Sequence, residues 1–240
     1  MTAECPECNG HGLIKTATGC RECGCQEPKR RAARLIRAGI PHGFRDATME
    51  NFKPTEATKD ALRMTKRFLH DFIPAGESKG LLLTGTVGTG KTHLAAAALR
   101  NLVETKGVEG RFVDVRALLD RLRSSYDDEA QESQEQILRP IFKADLVVID
   151  ELGAARPSDW VFETLELLIG GLYNKVVPVI VTTNLPNLAA GATARSTGGE
   201  YARAATPETL GDRIGSRMWS RLQQMCVSCE MIGPDWRGTR

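Results

Sequence analysis

The sequence predicts an α/β fold in which a parallel β-sheet lies between two layers of helices, with a small cysteine-rich module ahead of it. Two observations predict the sheet: short apolar runs of strand character alternate with helical patterns, and a glycine-rich turn joins the first of these strands, at Leu81, to an alanine-rich helix. A third observation predicts the module, because five of the seven cysteines lie between Cys5 and Cys25.

Each element is predicted from a local pattern. Before the first core strand there are two helical segments, PKRRAARLIRAGIP, broken at Pro41 and Gly43, and ATKDALRMTKRFLHDFI. The core strands are predicted in LLLTG, RFVDV, ADLVVIDE and KVVPVIVTTN, with MCVSCEMI as a closing strand. The helices that follow them are predicted in HLAAAALRNLVETK, RALLDRLRSSY and GDRIGSRMWSRLQQMC. The acidic segment DDEAQESQEQ is predicted to be exposed.

The glycine-rich turn matches the P-loop pattern G-x-x-x-x-G-K-[ST]. Glycines let several backbone N–H groups converge on phosphate oxygens, and the following helix presents the positive end of its dipole to the same anion. The lysine would neutralise the β- and γ-phosphates, and the hydroxyl of Thr92 is a predicted ligand of Mg²⁺. The predicted nucleotide-binding residues are Gly85, Thr86, Val87, Gly88, Thr89, Gly90, Lys91, Thr92 and His93.

The residues that end two later strands predict hydrolysis of the nucleotide. Asp150 closes a buried run and is predicted to hold Mg²⁺, while Glu151 is predicted to polarise the attacking water. Asn184, at the end of the next strand, is expected between the P-loop and the acidic pair, where its amide can orient that water; the alternative is a turn residue at a strand end. Transfer of the terminal phosphoryl group to a small molecule is less favoured, because such a kinase needs a pocket for the acceptor.

The N-terminal cysteines have metal-ligand spacing and predict a tetrahedral Zn²⁺ site. Cys5 and Cys8 form one C-x-x-C knuckle, and either Cys20 with Cys23 or Cys23 with Cys25 completes the set. Turns at Asn9-Gly10 and Gly24 suit such knuckles, and His11 is a weaker candidate ligand. A redox-active pair is the alternative. The C-terminal pair, Cys226 and Cys229, is predicted to lie in a strand as small packing residues.

The length and net charge of the chain indicate the broad class of protein to which it belongs. The 240 residues suffice for one α/β domain and an appendage, and a formal net charge of +2 is too small to indicate nucleic-acid binding by itself. With no secretory leader and no apolar run of about 20 residues, the chain is expected in the cytoplasm without membrane contact. The predicted domains are a zinc module with the basic helix (1–40), a linker with a leading helix (41–76) and the nucleotide domain (77–240).

The last predicted helix carries Arg213, Arg217 and Arg221 at intervals of four residues, on one face. A stripe of like charges destabilises an isolated helix, so it implies a partner. In an oligomeric ATPase that partner is the γ-phosphate bound by a neighbouring subunit. Arg221 is the first candidate for this catalytic role and Arg217 the second; a solvated basic face is the alternative.

Taken together, GTGKTHLA, VVIDELGA, VTTNL, the arginine-bearing helix and the ending GPDWR resemble the helicase-loader branch of the AAA+ ATPases (DnaC and DnaI type), with IstB-type transposition helpers as relatives. The resemblance covers nearly the whole chain. It implies an ATP-regulated oligomer without the helical lid of many AAA+ proteins, whose N-terminal module binds a hexameric replicative helicase and whose core contacts single-stranded DNA. One departure is Leu172, which stands before Tyr173 where the family commonly has arginine.

Loaders resemble one another in carrying a DNA-binding helix after the second strand. The candidate DNA contacts on or near that element are Arg116, Arg121, Arg123 and Tyr126. Solvated arginines with Phe112 in the core are the alternative.

Three functions follow: a helicase loader, a transposition helper that prefers duplex DNA, or a zinc adaptor with a regulatory nucleotide site. The insertion at 187–210 has no predicted role, and its composition predicts mobility.

Overall fold

The computed structural model describes residues 5–74, 78–127, 132–192 and 208–236, which contain a five-stranded parallel sheet between two layers of helices and an N-terminal β-hairpin. The hairpin consists of β1 (Leu13–Thr16) and β2 (Gly19–Glu22). The sheet consists of β3 (Gly80–Gly85), β4 (Gly110–Asp114), β5 (Leu146–Asp150), β6 (Val179–Thr182) and β7 (Cys226–Met231). All four pairings in this sheet are parallel, so the predicted α/β architecture is confirmed.

Eight α-helices connect or cover the strands of the described residues. They are α1 (Glu27–Ala38), α2 (Lys59–Asp71), α3 (Lys91–Lys106), α4 (Val115–Ser124), α5 (Gln134–Phe142), α6 (Asp159–Asn174), α7 (Leu210–Ile214) and α8 (Ser216–Met225). Short 3-10 turns at Gly24–Gln26 and His42–Phe44 precede and follow the first of them.

The central strands are apolar on both faces because helices cover both sides of the sheet. On β3, Leu82 packs into the core formed with α4 to α8, whereas Leu81 and Leu83 pack into the core formed with α1 to α3. This alternation follows from the strand pleat, which points successive side chains to opposite faces. The alanines of α3 are fully buried and allow that helix to lie close to the sheet.

The strand order β4-β5-β6-β3-β7 determines where the ends of the strands meet. Because β6 lies between β5 and β3, the residues that follow these three strands are neighbours at the carboxyl edge. Ligands of open parallel sheets bind at this edge. The closing strand β7 pairs with the other side of β3, and Gly85 lies opposite Met231 in that register.

Two features of the helices differ from the sequence prediction. The described residues of the acidic segment are mostly exposed, as predicted, but its last three residues begin a helix, α5, that was not predicted; Ser133 and Gln136 form a capping box at its start, and residues 128–131 lie outside the described residues. The predicted helix over 211–226 is two helices, α7 and α8, because Gly215 between them adopts φ 85° and ψ 152°. Arg213 therefore does not lie on the same helix as Arg217 and Arg221.

The basic helix α1 packs on the domain that contains the five-stranded sheet. Ala38 is fully buried, and Arg34 and Arg37 both form ion pairs with Glu109, which precedes β4. The domain boundary at residue 40 remains a prediction, although this packing joins the basic helix to the nucleotide domain. Most of the 187–210 insertion, residues 193–207, lies outside the described residues. Across the parts of the chain that the structure describes, no helix has the length and hydrophobicity needed to cross a bilayer.

Candidate functional site

The P-loop lies where predicted, between β3 and α3, and its lysine is held at its centre. Lys91 is 6% exposed, and its Nζ donates hydrogen bonds to Gly85 O at 2.9 Å and Thr86 O at 2.6 Å. Thr89 is buried, and its hydroxyl also donates to Thr86 O. The loop thus keeps a cation at the start of α3, where the helix dipole already favours an anion.

Asp150 and Thr92 present two oxygen atoms beside the P-loop that could act as metal ligands. Thr92 Oγ1 donates to Asp150 Oδ1 at 3.0 Å, and the Thr182 hydroxyl donates to the same oxygen at 2.6 Å. Burial raises the pKa of Asp150; the two hydroxyl hydrogen bonds oppose this shift, and the nearby carboxylates of Glu151 and Asp114 add to it. A hard divalent cation bound here would favour the ionised carboxylate, and a carboxylate with a hydroxyl suits Mg²⁺.

Glu151 adopts a backbone conformation that side chains rarely take. Its φ is +57°, and its N–H donates to Thr182 Oγ1 at 3.0 Å. A left-handed residue other than glycine costs free energy, and such residues cluster at functional sites. Glu151 lines a cavity beside the P-loop, whereas Asp150 is buried and is not part of the lining.

Thr182 is a site residue that sequence reasoning missed. Its hydroxyl accepts from the N–H of Glu151 and donates to Asp150, so one side chain fixes both acids. The sequence showed two threonines before Asn184, but it did not show which hydroxyl points toward β5. Thr183 serves a different purpose, since it donates to Leu152 O.

A cavity of about 360 Å³ joins these groups. Asn184 and Glu151 both line it, and the role of the Asn184 amide in orienting water remains a prediction. His93 also borders the cavity, and its Nε2 lies 3.1 Å from Thr48 O. The lining residues are Gly43, Phe44, Gly88, Gly90, Lys91, Thr92, His93, Glu151, Thr182, Thr183, Asn184 and Trp236. The remaining predicted loop residues, Gly85, Thr86, Val87 and Thr89, belong to the same turn without lining this cavity.

Four N-terminal cysteines converge: the Sγ atoms of Cys5, Cys8, Cys23 and Cys25 all lie within 4.8 Å of one another. The Cys5–Cys23 and Cys8–Cys25 distances are 3.7 and 3.5 Å. Thiolates about 2.3 Å from a tetrahedral Zn²⁺ lie roughly 3.8 Å apart, so the spacing fits this metal. The convergence of four sulfurs favours a metal site over the redox-active pair.

The local backbone explains how the knuckles aim inward. Asn9 and Gly10 both adopt positive φ, as expected of the turn after the first knuckle. The N–H of Gly12 donates to Cys8 Sγ at 3.2 Å. Burial opposes ionisation of the Cys8 thiol, but this hydrogen bond and the neighbouring thiols outweigh it and lower its pKa to about 7. The hydrogen bond to Cys8 in turn raises the pKa of Cys25, so Cys8 ionises before Cys25.

The structure selects one of the two ligand sets left open by the spacing. Cys20 lies on β2, is exposed and is outside the cluster, so the prediction that included it as a ligand is wrong. His11 is also exposed and outside the cluster.

Cys226 and Cys229 are packing residues of β7, as predicted. They face opposite sides of the sheet and belong to different cores, so they cannot share a ligand. Burial raises the pKa of Cys226 to about 12 and also raises that of Cys229. Both thiols are therefore kept protonated and inert.

The three C-terminal arginines each have a partner within the chain, so the argument from an unpartnered stripe is wrong. Arg213 pairs with Glu208 and donates to Ala155 O. Arg217 Nη1 lies 2.9 Å from Glu166 Oε1, and the Arg221 guanidinium lies over Tyr173, 5.4 Å from its ring centroid. Within the described residues, Arg217 and Arg221 are not part of the cavity lining.

The candidate DNA contacts lie on or beside α4 and are exposed, but the arginines have local contacts. Arg116 donates to Ala154 O, and Arg121 forms an ion pair with Glu132. Arg123 lies over the ring of Trp160 at 4.9 Å, and Tyr126 is largely exposed. Phe112 packs partly against the core beside α3, as the alternative reading expected.

Comparison with known proteins identifies the family. A model described as "IstB-like ATP binding protein" matches residues 22–193, most of the chain. The chain belongs to this family. Among solved structures, this IstB-like protein superposes on a crystal structure of the DnaC helicase loader with a TM-score of 0.65 and 30% identity, covering 80% of this chain and 99% of that one. It has the P-loop AAA+ fold of that loader.

Three further comparisons show lower sequence identity. The crystal structure of DnaI shares the fold, with a TM-score of 0.61 and 23% identity over 82% of this chain and 93% of that one. The replicative helicase loader DnaC of Escherichia coli is 28% identical over 125 residues, or 52% of this chain and 49% of the relative. The Bacillus subtilis protein YqaM is 26% identical over 176 residues, 69% of this chain and 54% of the relative. The chain thus spans about half the length of the curated relatives it matches.

Proposed function

We propose that this IstB-like protein is an ATPase that binds a hexameric replicative helicase and places it on single-stranded DNA. The observation that carries the proposal is one cavity lined by Lys91, Thr92 and Glu151, with Asp150 bonded to Thr92, on the fold of a helicase loader. These groups are what hydrolysis of a nucleoside triphosphate needs: a phosphate cradle, an oxygen-rich cation site and a carboxylate beside the space for water.

The residues divide the work of hydrolysis among them. Lys91 and the P-loop N–H groups bind and orient the β- and γ-phosphates, and Thr92 with Asp150 would hold Mg²⁺, which when bound neutralises charge on those phosphates. The Glu151 carboxylate polarises the attacking water and accepts its proton. Asn184 orients that water through its amide. Thr182 keeps both acids in position through the hydrogen bonds it makes to them.

In this proposal the hydrolytic site is completed at a junction between two copies of the chain. The neighbouring copy supplies an arginine to it. Arg217 is the better placed of the two candidates. Its side chain is 74% exposed, and an exposed ion pair such as Arg217–Glu166 is worth little, so it can be released at small cost. Arg221 is half-buried over Tyr173 and against Gly170, and leaving that site would lose a cation–π contact.

In this proposal residues 5–26, which carry the four clustered cysteines, form a head that binds the partner helicase. Zn²⁺ held by Cys5, Cys8, Cys23 and Cys25 would stabilise residues 5–26, which are too few to form a hydrophobic core of their own. The head precedes α1, which is fixed to the sheet by Arg34, Arg37 and Glu109. A helicase bound to this head is therefore joined to the ATPase core through a helix.

A second candidate function is that of an ATPase helper of DNA transposition. The observation that favours it is the family model itself, which is named for IstB. Such a helper would bind duplex DNA and a transposase. The exposed arginines of α4 would contact single-stranded DNA in the first case and duplex DNA in the second.

A loading assay separates the two functions. The chain is mixed with ATP, circular single-stranded DNA and a purified hexameric replicative helicase from Escherichia coli or Bacillus subtilis, and helicase that elutes with the circle is measured. We expect retention only when the chain and ATP are both present, and loss of retention with Lys91→Ala. Loading that does not depend on the chain, together with preferred binding to duplex DNA, would favour the transposition helper.

Substitution of single cysteines tests the zinc site. We expect purified wild-type protein to contain one zinc per chain by elemental analysis, and Cys25→Ser to lose it, because a hydroxyl is a poor replacement for a thiolate. Cys20→Ser is the matched control and should retain full zinc, since Cys20 lies outside the cluster. Equal zinc in the two variants would contradict the ligand set, and no zinc in the wild type would contradict the site.

Substitution of Thr182 tests the positioning of the two acids. Thr182→Val keeps the shape but leaves the Glu151 N–H without its acceptor and Asp150 with only the Thr92 hydroxyl, so we expect the free energy of unfolding to fall by about 1–3 kcal/mol and ATP turnover to fall as well. Thr182→Ser keeps the hydroxyl and should retain both. Thermal unfolding and steady-state turnover are the measurements; a Val variant that matches the wild type in both would remove Thr182 from the site.

A further inference from the structure

The segment after β7 lies across the P-loop. β7 ends level with Gly85, and the next residues are hydrogen-bonded to the loop at two points. Thr86 Oγ1 donates to Gly233 O at 3.2 Å, and the N–H of Trp236 donates to Gly88 O at 3.3 Å. Residues 232–236, the tail, are thus fastened to the turn that would bind phosphates.

The loop leaves no space between itself and the tail. Gly88 has φ +78°, and a Cβ built on it would lie 2.0 Å from Asp235 Oδ1. A side chain at this position would clash with the tail as well as strain the backbone. Contacts with Thr86 and Gly88 therefore fix the course of the tail, and Trp236 lines the nucleotide cavity.

The strand order determines which residues lie on each side of the P-loop. Glu151 and Asn184 follow β5 and β6 on one side of the P-loop, and the tail follows β7 on the other side. A nucleotide whose terminal phosphate points to Glu151 would extend its base toward the tail. The lining of the cavity includes three aromatic residues, Phe44, His93 and Trp236. Trp236 is 42% exposed.

We propose that Trp236 is a nucleotide-contacting residue that stacks on the base, so that the tail closes one side of the site. This inference rests on the proposed ATPase function. Stacking on an aromatic ring tolerates different bases because every base has a π-face, and removal of such a ring typically weakens binding about tenfold or more. The tail then gives affinity for the base, while the P-loop gives affinity for the phosphates.

The test compares ATP with inorganic tripolyphosphate, which lacks a base, by calorimetric titration of the full chain with Mg²⁺. We expect Trp236→Ala to raise the Kd for ATP about tenfold and to leave the Kd for tripolyphosphate within about twofold. Trp236→Phe retains a ring and should stay close to the wild type, and Trp219→Phe is the matched control on α8. Both Trp236 variants keep the backbone hydrogen bond to Gly88.

A fluorescence measurement reports on the same contact. In Trp160→Phe/Trp219→Phe, Trp236 is the one tryptophan left in the chain, and its emission should change saturably with ATP but not with tripolyphosphate. Equal weakening of both ligands by Trp236→Ala would make the tail a support of the loop and overturn the inference. An unchanged ATP affinity in that variant would overturn it while leaving the ATPase proposal intact. A wild type that binds neither ligand would overturn both.

Discussion

Glu151→Gln is expected to lower ATP turnover by about 100-fold or more while leaving ATP affinity nearly unchanged. General-base assistance is typically worth about 10²–10⁴ in rate, and the amide has the size of the carboxylate but cannot accept the proton. The left-handed turn and the N–H bond to Thr182 involve the backbone, so they persist in the variant. Steady-state phosphate release and nucleotide titration are the measurements.

Glu135→Gln, at an exposed position on α5, is the matched control and should turn over ATP like the wild type. Turnover retained in Glu151→Gln would remove Glu151 as the base. It would also favour the zinc adaptor with a regulatory nucleotide site over the ATPase.

Arg217→Ala is expected to reduce turnover by about 1,000-fold, because an arginine supplied across a subunit junction is typically worth about 10³–10⁵ in rate. The arginine lies outside the chain's own cavity lining, so ATP affinity should change little. Its ion pair with Glu166 is exposed, so thermal stability should also stay close to that of the wild type. Loss of activity could then not be attributed to unfolding.

Arg63→Ala is the control for this variant, since Arg63 on α2 also forms an exposed ion pair, with Asp60. Arg221→Ala is measured beside them. If Arg221→Ala abolishes turnover and Arg217→Ala does not, Arg221 supplies the charge and its contact with Tyr173 must break on assembly. If both retain turnover, neither arginine completes a neighbouring site.

The fold could be predicted from the sequence because its signals are local and strong. The apolar runs that became β3, β5 and β6 are buried on both faces, and the spacing of the P-loop determines which strand precedes which helix. The helix α5 was missed because its capping box lies inside a polar segment that reads as solvent-exposed. The break at Gly215 was missed because the arginine spacing continued through it.

The site could be predicted only as far as chain position determines it. Lys91, Asp150 and Glu151 follow from motifs at strand ends. The role of Thr182 depends on which way its hydroxyl points across two strands, and the position of Trp236 depends on the tail crossing the P-loop. The choice of Cys25 over Cys20 depends on which thiol lies close to the other three in space. Contacts of this kind arise from tertiary packing, and spacing alone does not encode them.

The most direct test of hydrolysis at a junction between two copies is a mixing experiment with Glu151→Gln and Arg217→Ala. Each variant alone should be nearly inactive, because each lacks one half of every site. In a mixture, an Arg217→Ala chain contributes Glu151 and its Glu151→Gln neighbour contributes Arg217, so we predict that turnover reappears and rises with protein concentration. A mixture as inactive as its components, with wild-type turnover per chain independent of concentration, would contradict the account.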